Sequence, residues 1–116
     1  MREIKFRAWD TKSESMEYEI AIGKGYGEDS YILFLGLGET FIIDDDIVKI
    51  MQYTGLKDKN NVEIFEYMEI DNTYEVSFLN GSYVLTNISN GDIMLLSNYM
   101  ENHNGKVEIT REYTKV

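Results

Sequence analysis

Three consecutive carboxylates and one histidine are the residues whose types come nearest to site chemistry. Asp44, Asp45 and Asp46 carry the hard oxygens that Mg²⁺ or Ca²⁺ prefers, but the spaced acids and closing Glu of an EF-hand loop are not in the sequence. His103 could act as a general base, and Ser97 is close to it in sequence, but nothing marks that serine as activated. We therefore interpret the three aspartates as a solvated turn and His103 as a surface turn residue.

A glycine-rich stretch is the next candidate. Gly23, Gly25 and Gly27 form G-x-G-x-G, which in a phosphate-binding loop would follow a strand and open a helix. Here strand-like sequence follows instead, after the acidic residues Glu28 and Asp29. The context favours a flexible hairpin loop over a nucleotide site.

Paired acids and thiols are the remaining types of group that could act in catalysis. Glu66 and Glu69 could in principle act together in glycosidic hydrolysis, but acids are so common in this chain that the pair carries little information. The sequence has no cysteine, which excludes disulfides, thiolate metal sites and a cysteine nucleophile. We predict that the protein is not an enzyme and that it has no catalytic residues, no metal ligands and no cofactor.

The charge distribution limits the classes of partner. The formal net charge is −10; residues 13–48 hold nine acids against one lysine, and residues 60–101 hold seven acids with no Lys or Arg. The acidity disfavours direct nucleic-acid binding, because phosphate contacts need a basic face. The acidity serves solubility in the simplest interpretation. The alternative is an acidic surface that mimics DNA and inhibits a basic, nucleic-acid-binding host protein.

Length and hydropathy indicate a soluble protein of one domain. The 116 residues suit a single domain over residues 1–116, with enough surface buried to form a core. Residues 1–10 do not resemble a signal peptide, and the longest apolar run, Tyr31–Leu35, is too short to span a membrane. We expect the protein to be soluble and intracellular, without membrane contact.

The first half of the chain has the composition and alternation of β structure. Proline is absent and tyrosine occurs nine times. Residues 4–9 and 16–22 alternate in polarity and predict two strands that form a hairpin. Residues 31–43 predict one or two buried strands interrupted at Gly36 and Gly38.

The middle of the chain leaves one choice open. Residues 44–56 begin with aspartates that could cap a helix, but their apolar residues also alternate as in a strand, which we favour. Residues 57–61 are turn formers, and alternation resumes over residues 62–70.

The clearest local signal is a hairpin in the second half. Asn80-Gly81 separates two alternating runs, as in a two-residue turn. A short helix is predicted at about residues 93–101, because four apolar residues there have helical spacing: Ile93, Leu96, Tyr99 and Met100. Alternation over residues 107–111 predicts a last strand.

Basic and aromatic residues suggest a contact surface. Arg7, Lys57 and Lys59 could form a small basic patch on an acidic molecule. Internal ion pairing, for example of Arg7 with Asp10 or Asp58, is the simpler interpretation. Trp9 and the tyrosines could stack on single strands, but such platforms lie in basic grooves, so packing is favoured.

Two segments give the chain a family resemblance. "MREIKFRAWD" at residues 1–10 and "MQYTGLKDKN" at residues 51–60, in this order and spacing, resemble the YopX family of small proteins encoded by phages and prophages. "TYEVSFLNGSYVL" and "LLSNYM" are similar to the family's second half. Where family members commonly read E-I-Y-E-G-D-I-V, this chain reads "EIFEYMEI", so that Tyr67 and Met68 replace a Gly-Asp pair. We expect this bend to be built differently here.

The resemblance implies a mainly β fold: an N-terminal β-hairpin region, a small SH3-like barrel and one short C-terminal helix. The resemblance does not supply an enzyme activity. Because the sequence has no catalytic set and many aromatic residues, which suit interfaces, we predict a non-enzymatic phage accessory protein in the cytoplasm of the bacterial host. We expect it to act through protein–protein contacts, with a protein partner or with itself as a homo-oligomer. The predicted interaction residues are Arg7, Trp9, Asp10, Tyr53, Lys57, Asp58 and Lys59.

Overall fold

The computed structural model describes residues 4–18, 20–24, 31–35, 40–42 and 48–113. The chain divides into two compact units, which are named here the N-terminal unit (Lys5–Gln52) and the C-terminal unit (Tyr53–Tyr113). Within the described residues the fold is antiparallel β structure with one short helix, which confirms the predicted mainly β class. The prediction of one domain over residues 1–116 stays a prediction.

The N-terminal unit contains the predicted first hairpin. Strand β1 (Phe6–Asp10) pairs antiparallel with β2 (Ser15–Glu17), and an Asp10 carboxylate oxygen accepts a hydrogen bond from the backbone N–H of Lys12 at 2.9 Å. This bond holds the turn between the two strands, as aspartate commonly does. The other edge of β1 pairs with the first half of β6 (Val48–Lys57), so β1 is a central strand.

A second antiparallel sheet in this unit contains β3 (Ile20–Lys24), β4 (Tyr31–Leu35) and β5 (Thr40–Ile42), in that order. The single strand predicted over residues 16–22 is therefore two strands, β2 and β3, with different partners. The pattern could not show this division, because the alternation of apolar residues continues through both. Several predictions lie outside the described residues: the loop at Gly25 and Gly27, the breaks at Gly36 and Gly38, and the turn at Asp44–Asp46.

Strand β6 settles the choice between helix and strand in favour of the strand. Its second half pairs with β7 (Glu63–Phe65), and the register shifts between Tyr53 and Lys57. Gly55 lies in this irregular stretch with φ 87°, a conformation that glycine adopts at little cost. The Thr54 hydroxyl donates to the Ile64 carbonyl at 2.8 Å and accepts from the Leu56 N–H at 3.2 Å, so the side chain bridges the bulge.

The C-terminal unit is built on a curled five-stranded sheet, a half-barrel that agrees with the predicted small barrel. The strands are β8 (Glu69–Ile70), β9 (Tyr74–Leu79), β10 (Ser82–Asn87), β11 (Ile93–Leu95) and β12 (Ile109–Arg111), in the spatial order β11-β10-β9-β8-β12. Short strands and a register shift within β12 allow the strong curvature.

The predicted hairpin at Asn80-Gly81 is confirmed. Ser82 pairs with Leu79, and the two turn residues have φ values of 51° and 85°. Positive φ at both positions is the type I′ turn, whose twist matches that of the flanking strands.

The C-terminal helix α1 (Leu96–Asn102) is confirmed, but it begins three residues later than predicted. Ile93–Leu95 form strand β11, because they pair with β10. Ile93 therefore does not belong to the apolar face of the helix, although its spacing from Leu96 and Tyr99 is helical. In the described part of the chain, no helix is long and apolar enough to cross a membrane.

The core of the C-terminal unit is one cluster of buried apolar side chains. Its fully buried members come from β7 to β10, from α1 and from the segment before β12: Ile64, Ile70, Val76, Leu85, Leu96 and Val107. Partly buried aromatic residues, Tyr74, Tyr83 and Tyr99 among them, pack around this cluster. Burial of these side chains is the main stabilisation of the unit.

The bend between β7 and β8 contains Tyr67, which adopts φ 69°. The prediction that this bend is built differently from the one that the resemblance implies stays a prediction. A side chain in this left-handed region costs about 1–2 kcal/mol. The Tyr67 N–H donates to the Val76 carbonyl at 2.8 Å, and its ring packs 5.8 Å from that of Tyr113. These contacts hold a non-glycine residue in a glycine conformation.

Candidate functional site

Strands β9, β10 and β11 present two different faces. Side chains of directly paired residues point to the same side of a sheet, and successive residues alternate between sides. Val76, Leu85 and Met94 form one such row and face the core. The opposite side, called here the outer face, carries two rows: Ser77, Val84 and Leu95, then Glu75, Thr86 and Ile93. Leu79, opposite Ser82, extends it toward the hairpin turn.

The outer face is apolar along one stripe. Leu79, Ile93 and Leu95 expose 44%, 55% and 42% of their surface, and Val84 between them is buried. Leu95 lies directly opposite Val84. Ile93 is on the same strand as Leu95, two residues earlier in the chain, and points to the same side of the sheet. Exposed apolar side chains are normal when scattered, but a contiguous group indicates a contact surface.

The charges on the outer face are of one sign. Glu75 is exposed in the same row as Ile93, and the exposed Asp92 immediately precedes Ile93 in the chain. Residues 60–101, which include all of β9, β10 and β11, contain no lysine or arginine. The outer face therefore carries the Glu75 carboxylate, has the exposed Asp92 next to Ile93 in the chain, and receives no basic side chain from β9, β10 or β11.

A groove of about 340 Å³ adjoins the stripe at the hairpin end. Leu95 belongs both to the outer face and to the wall of this groove. The other lining residues come from β6, the hairpin and the start of the helix: Thr54, Leu56, Gly81, Ser82, Tyr83, Leu96 and Ser97. The lining mixes apolar side chains with the hydroxyl groups of serine, threonine and tyrosine.

The turn after β6, which carries the most recognisable motif of the sequence, is organised by Asp58. This carboxylate is 7% exposed. It accepts hydrogen bonds from the backbone N–H groups of Asn60 at 2.9 Å, Val62 at 3.0 Å and Ile109 at 3.2 Å. The first two bonds close the turn, and the third ties it to β12, which is 51 residues away in sequence. Together with Gly55 in the bulge, these contacts explain the motif structurally.

The predicted interaction residues of the N-terminal unit are largely internal. Arg7 and Trp9 are buried, and Asp10 is half-buried and closes the first turn. A guanidinium nitrogen of Arg7 lies 3.7 Å from the Met51 sulfur, and its Cζ lies 6.0 Å from the centre of the Tyr18 ring. The indole N–H of Trp9 has no hydrogen-bond partner among the residues that the structure describes.

The predicted interaction residues of the C-terminal unit divide by exposure. Tyr53 is buried, and its ring lies 5.5 Å from that of Phe65. Lys57 and Lys59 are exposed; the Lys59 ammonium lies 3.4 Å from a Glu108 carboxylate, while its backbone N–H donates to a carbonyl near β12. Arg7 lies in the other unit, where it is buried, and a basic patch of these residues stays a prediction. A role of this turn in interactions stays a prediction.

His103 lies in a surface turn, as predicted, and is exposed. It stacks on Tyr99 with ring centres 4.0 Å apart, and its Nδ1 lies 2.8 Å from the Tyr99 carbonyl oxygen. The Tyr99 hydroxyl donates to the Asp71 carboxylate at 2.7 Å. Burial, then this bond and the negative charge of Asp71, raise the pKa of Tyr99 well above its usual value. The phenol is therefore a structural donor at neutral pH.

The remaining candidate catalytic residues, Ser97 and Glu69, belong to different elements of the C-terminal unit. Ser97 is exposed at the start of α1 and lines the groove. The Glu69 carboxylate accepts from the Thr110 hydroxyl at 2.8 Å and lies 3.7 Å from the Arg111 guanidinium. Within the described ranges, His, Asp and Glu side chains form no cluster of three that could hold a metal ion.

Sequence reasoning missed the outer face. Helical spacing predicts Ile93 in a helix, and no local pattern singles out Leu79 or Leu95. The alternation around Asn80-Gly81 does contain a signal for Leu79, which lies on the opposite side from Val76 and Phe78. The exposure of Ile93 and Leu95 depends on the pairing of β11 with β10, which is a tertiary contact.

The fold described above defines the class as a small, mainly β protein whose described residues form three antiparallel sheets and one short helix. The family model described as YopX protein matches residues 5–110. The chain belongs to the YopX family.

One solved structure shows the same fold. The crystal structure of protein EF1440 from Enterococcus faecalis aligns with a TM-score of 0.60 at 22% sequence identity. The alignment covers 97% of this chain and 94% of that chain. A comparison with curated proteins gives no match.

Proposed function

We propose that this chain is a non-enzymatic accessory protein, encoded by a phage or prophage, that acts in the cytoplasm of the bacterial host through protein–protein contacts. The observation that carries the proposal is the exposed apolar stripe of Leu79, Ile93 and Leu95 on the outer face. Water contact with these three side chains is unfavourable, and a protein partner would remove it. Membership of the YopX family supports the phage origin.

The groove beside the stripe adds to this support. Protein interfaces obtain most of their affinity from a few large side chains that fill pockets on the partner. A pocket of about 340 Å³ next to exposed leucine and isoleucine offers such an anchor point. Stripe and groove share Leu95, so one partner segment could occupy both.

The alternative of a DNA mimic has less support in the C-terminal unit. A mimic needs carboxylates that are free to face a basic partner. The carboxylates of Asp58 and Asp71 bind backbone N–H groups instead, and that of Glu69 binds Thr110 and lies near Arg111. DNA mimicry therefore stays a prediction from net charge.

The test compares capture by three forms of the immobilised chain: wild type, the outer-face variant Leu79→Ser/Ile93→Thr, and the control Val62→Thr. Val62 is 49% exposed, lies in the turn before β7, and belongs to neither the stripe nor the groove lining. Lysates of bacteria with and without phage infection are passed over each. We expect at least one protein that wild type and Val62→Thr retain and the outer-face variant loses. No retained protein, together with a monomer in light scattering, would contradict the proposal.

A further inference from the structure

We propose that the outer face of β9, β10 and β11 binds a protein segment in which apolar side chains are interspersed with Lys or Arg. The inference rests on the proposed function and specifies the chemistry of the partner. It follows from three features of the C-terminal unit: the apolar stripe, the adjoining groove and the sign of the bordering charges.

The stripe determines the apolar part of the partner. Val84 and Leu95 are directly opposite each other, so their side chains are about 5 Å apart. Ile93 and Thr86 form the next row on the same face, and Leu79 lies toward the hairpin turn. The exposed apolar groups thus follow one line across three strands, which suits an extended or helical segment with several apolar contacts.

The groove provides an anchor at one end of this line. Leu95 contributes to both the stripe and the groove wall, and the exposed residues Ser82 and Ser97 also line the groove. A segment lying along the stripe would therefore place one large side chain in the groove. The hydroxyl groups would accept or donate hydrogen bonds at the entrance.

The bordering charges select a basic partner. Glu75 shares a row with Ile93, and Asp92 is its neighbour in sequence. Opposite charges across an interface raise the association rate and fix the orientation of the partner. Lys or Arg between the apolar residues of the partner would lie near these carboxylates.

The same charges disfavour a second copy of the chain on this face. A two-fold interface joins the same patch from two subunits, so it must be complementary to itself. This patch carries carboxylates and, on its own strands, no lysine or arginine. Two copies would bring Glu75 and Asp92 near acids of the same patch, on proteins that each carry a net charge of −10. Homo-oligomer formation through other surfaces stays a prediction.

The test is a fluorescence-anisotropy titration of the whole chain with three labelled peptides: alternating Lys and Leu, alternating Glu and Leu, and alternating Lys and Ser. The Lys–Leu peptide should bind most tightly, since it alone supplies both apolar groups and positive charge. Its affinity should fall at least about fivefold between about 50 and 300 mM NaCl, because the carboxylates are exposed.

Two variants separate the apolar and charged contributions. Leu79→Ser/Ile93→Thr should weaken Lys–Leu binding by about tenfold, while Val62→Thr leaves it unchanged. Glu75→Gln/Asp92→Asn should weaken it by about threefold and reduce its salt dependence, while Glu101→Gln, an exposed acid on α1, has no effect. Urea unfolding of each variant checks that the fold is retained.

Three results would overturn the inference. The first is equal affinity for the Glu–Leu and Lys–Leu peptides. The second is unchanged Lys–Leu binding in both variants. The third is a salt-independent dimer that Leu79→Ser/Ile93→Thr dissociates, which would assign the face to a second copy. If lysate capture succeeds while the peptide titration fails, the proposed function stands and only the partner chemistry is wrong.

Discussion

The two faces of the β9–β10–β11 sheet carry similar aliphatic side chains, but their surroundings differ. Leu85 on the core face is fully buried against residues of β8, β9 and α1, whereas Leu95 on the outer face is 42% exposed. The first leucine contributes to folding, because its burial is complete without a partner. The second retains apolar surface in contact with water, and that surface is available for binding. Side-chain type alone therefore does not separate structural residues from interaction residues.

The largest expected effect comes from the same truncation on the two faces. Leu85→Ala should lower the free energy of unfolding by about 3 kcal/mol, because it leaves a cavity in a closely packed core. Leu95→Ala should lower it by less than about 1 kcal/mol, because the side chain is only partly buried. Urea unfolding of both variants measures the difference. Equal losses would mean that the outer face is structural as well.

A second pair compares two aspartates. Asp58→Ala should cost about 2 kcal/mol, since three backbone N–H groups lose a charged acceptor. The exposed Asp92→Ala should change stability by less than about 0.5 kcal/mol. Thermal unfolding at neutral pH measures both. If Asp58→Ala left the stability unchanged, the turn would not depend on this carboxylate, and Asp58 would again be a candidate for binding.

The bend at Tyr67 allows a test of whether its left-handed backbone conformation lowers the stability of the fold. Tyr67→Gly and Tyr67→Ala both remove the ring contact with Tyr113, but only glycine adopts φ 69° without steric cost. The glycine variant should therefore be more stable than the alanine variant by about 1 kcal/mol in urea unfolding. If alanine were equal or better, the left-handed conformation would carry no cost at this position.

The smallest expected effect concerns the hydroxyl of Tyr99. Tyr99→Phe removes the hydrogen bond to Asp71 and should cost about 1 kcal/mol at pH 8. The folded chain raises the pKa of Tyr99 above the usual value of 10.0, so the folded state holds the proton more tightly than the unfolded state. The stabilisation is complete below pH 10 and decreases as pH rises above it.

The difference in melting temperature between wild type and Tyr99→Phe should accordingly be smaller at about pH 11 than at pH 8. The phenylalanine variant is itself the control for other groups that titrate at alkaline pH. A difference that stays constant between the two pH values would contradict the assignment of this proton to Tyr99.

Local signals in the sequence were sufficient for several elements. Asn80-Gly81 specifies its own turn, because both residues tolerate positive φ and the flanking runs alternate. The choice of a strand for residues 48–57 followed from alternation in the same way. The family motifs carried the barrel prediction, which the curled sheet of the C-terminal unit supports.

The elements that sequence reasoning missed depend on contacts between distant residues. Helical spacing placed Ile93 with Leu96 and Tyr99, but pairing with Thr86 draws it into β11. Asp58 was predicted as a turn residue, yet its bond to Ile109 joins positions 51 residues apart, and no local pattern indicates it. The outer face could not be predicted for the same reason, since it exists only after β11 pairs with β10.

The most direct test of the central claim, that the outer face binds a basic, apolar protein segment, is the titration of the Lys–Leu peptide with Leu95→Ala beside wild type. Leu95 belongs to both the stripe and the groove. We expect Leu95→Ala to bind the Lys–Leu peptide about fivefold or more weakly than wild type, with a nearly unchanged urea midpoint. Equal affinity of the two proteins for the peptide would contradict it.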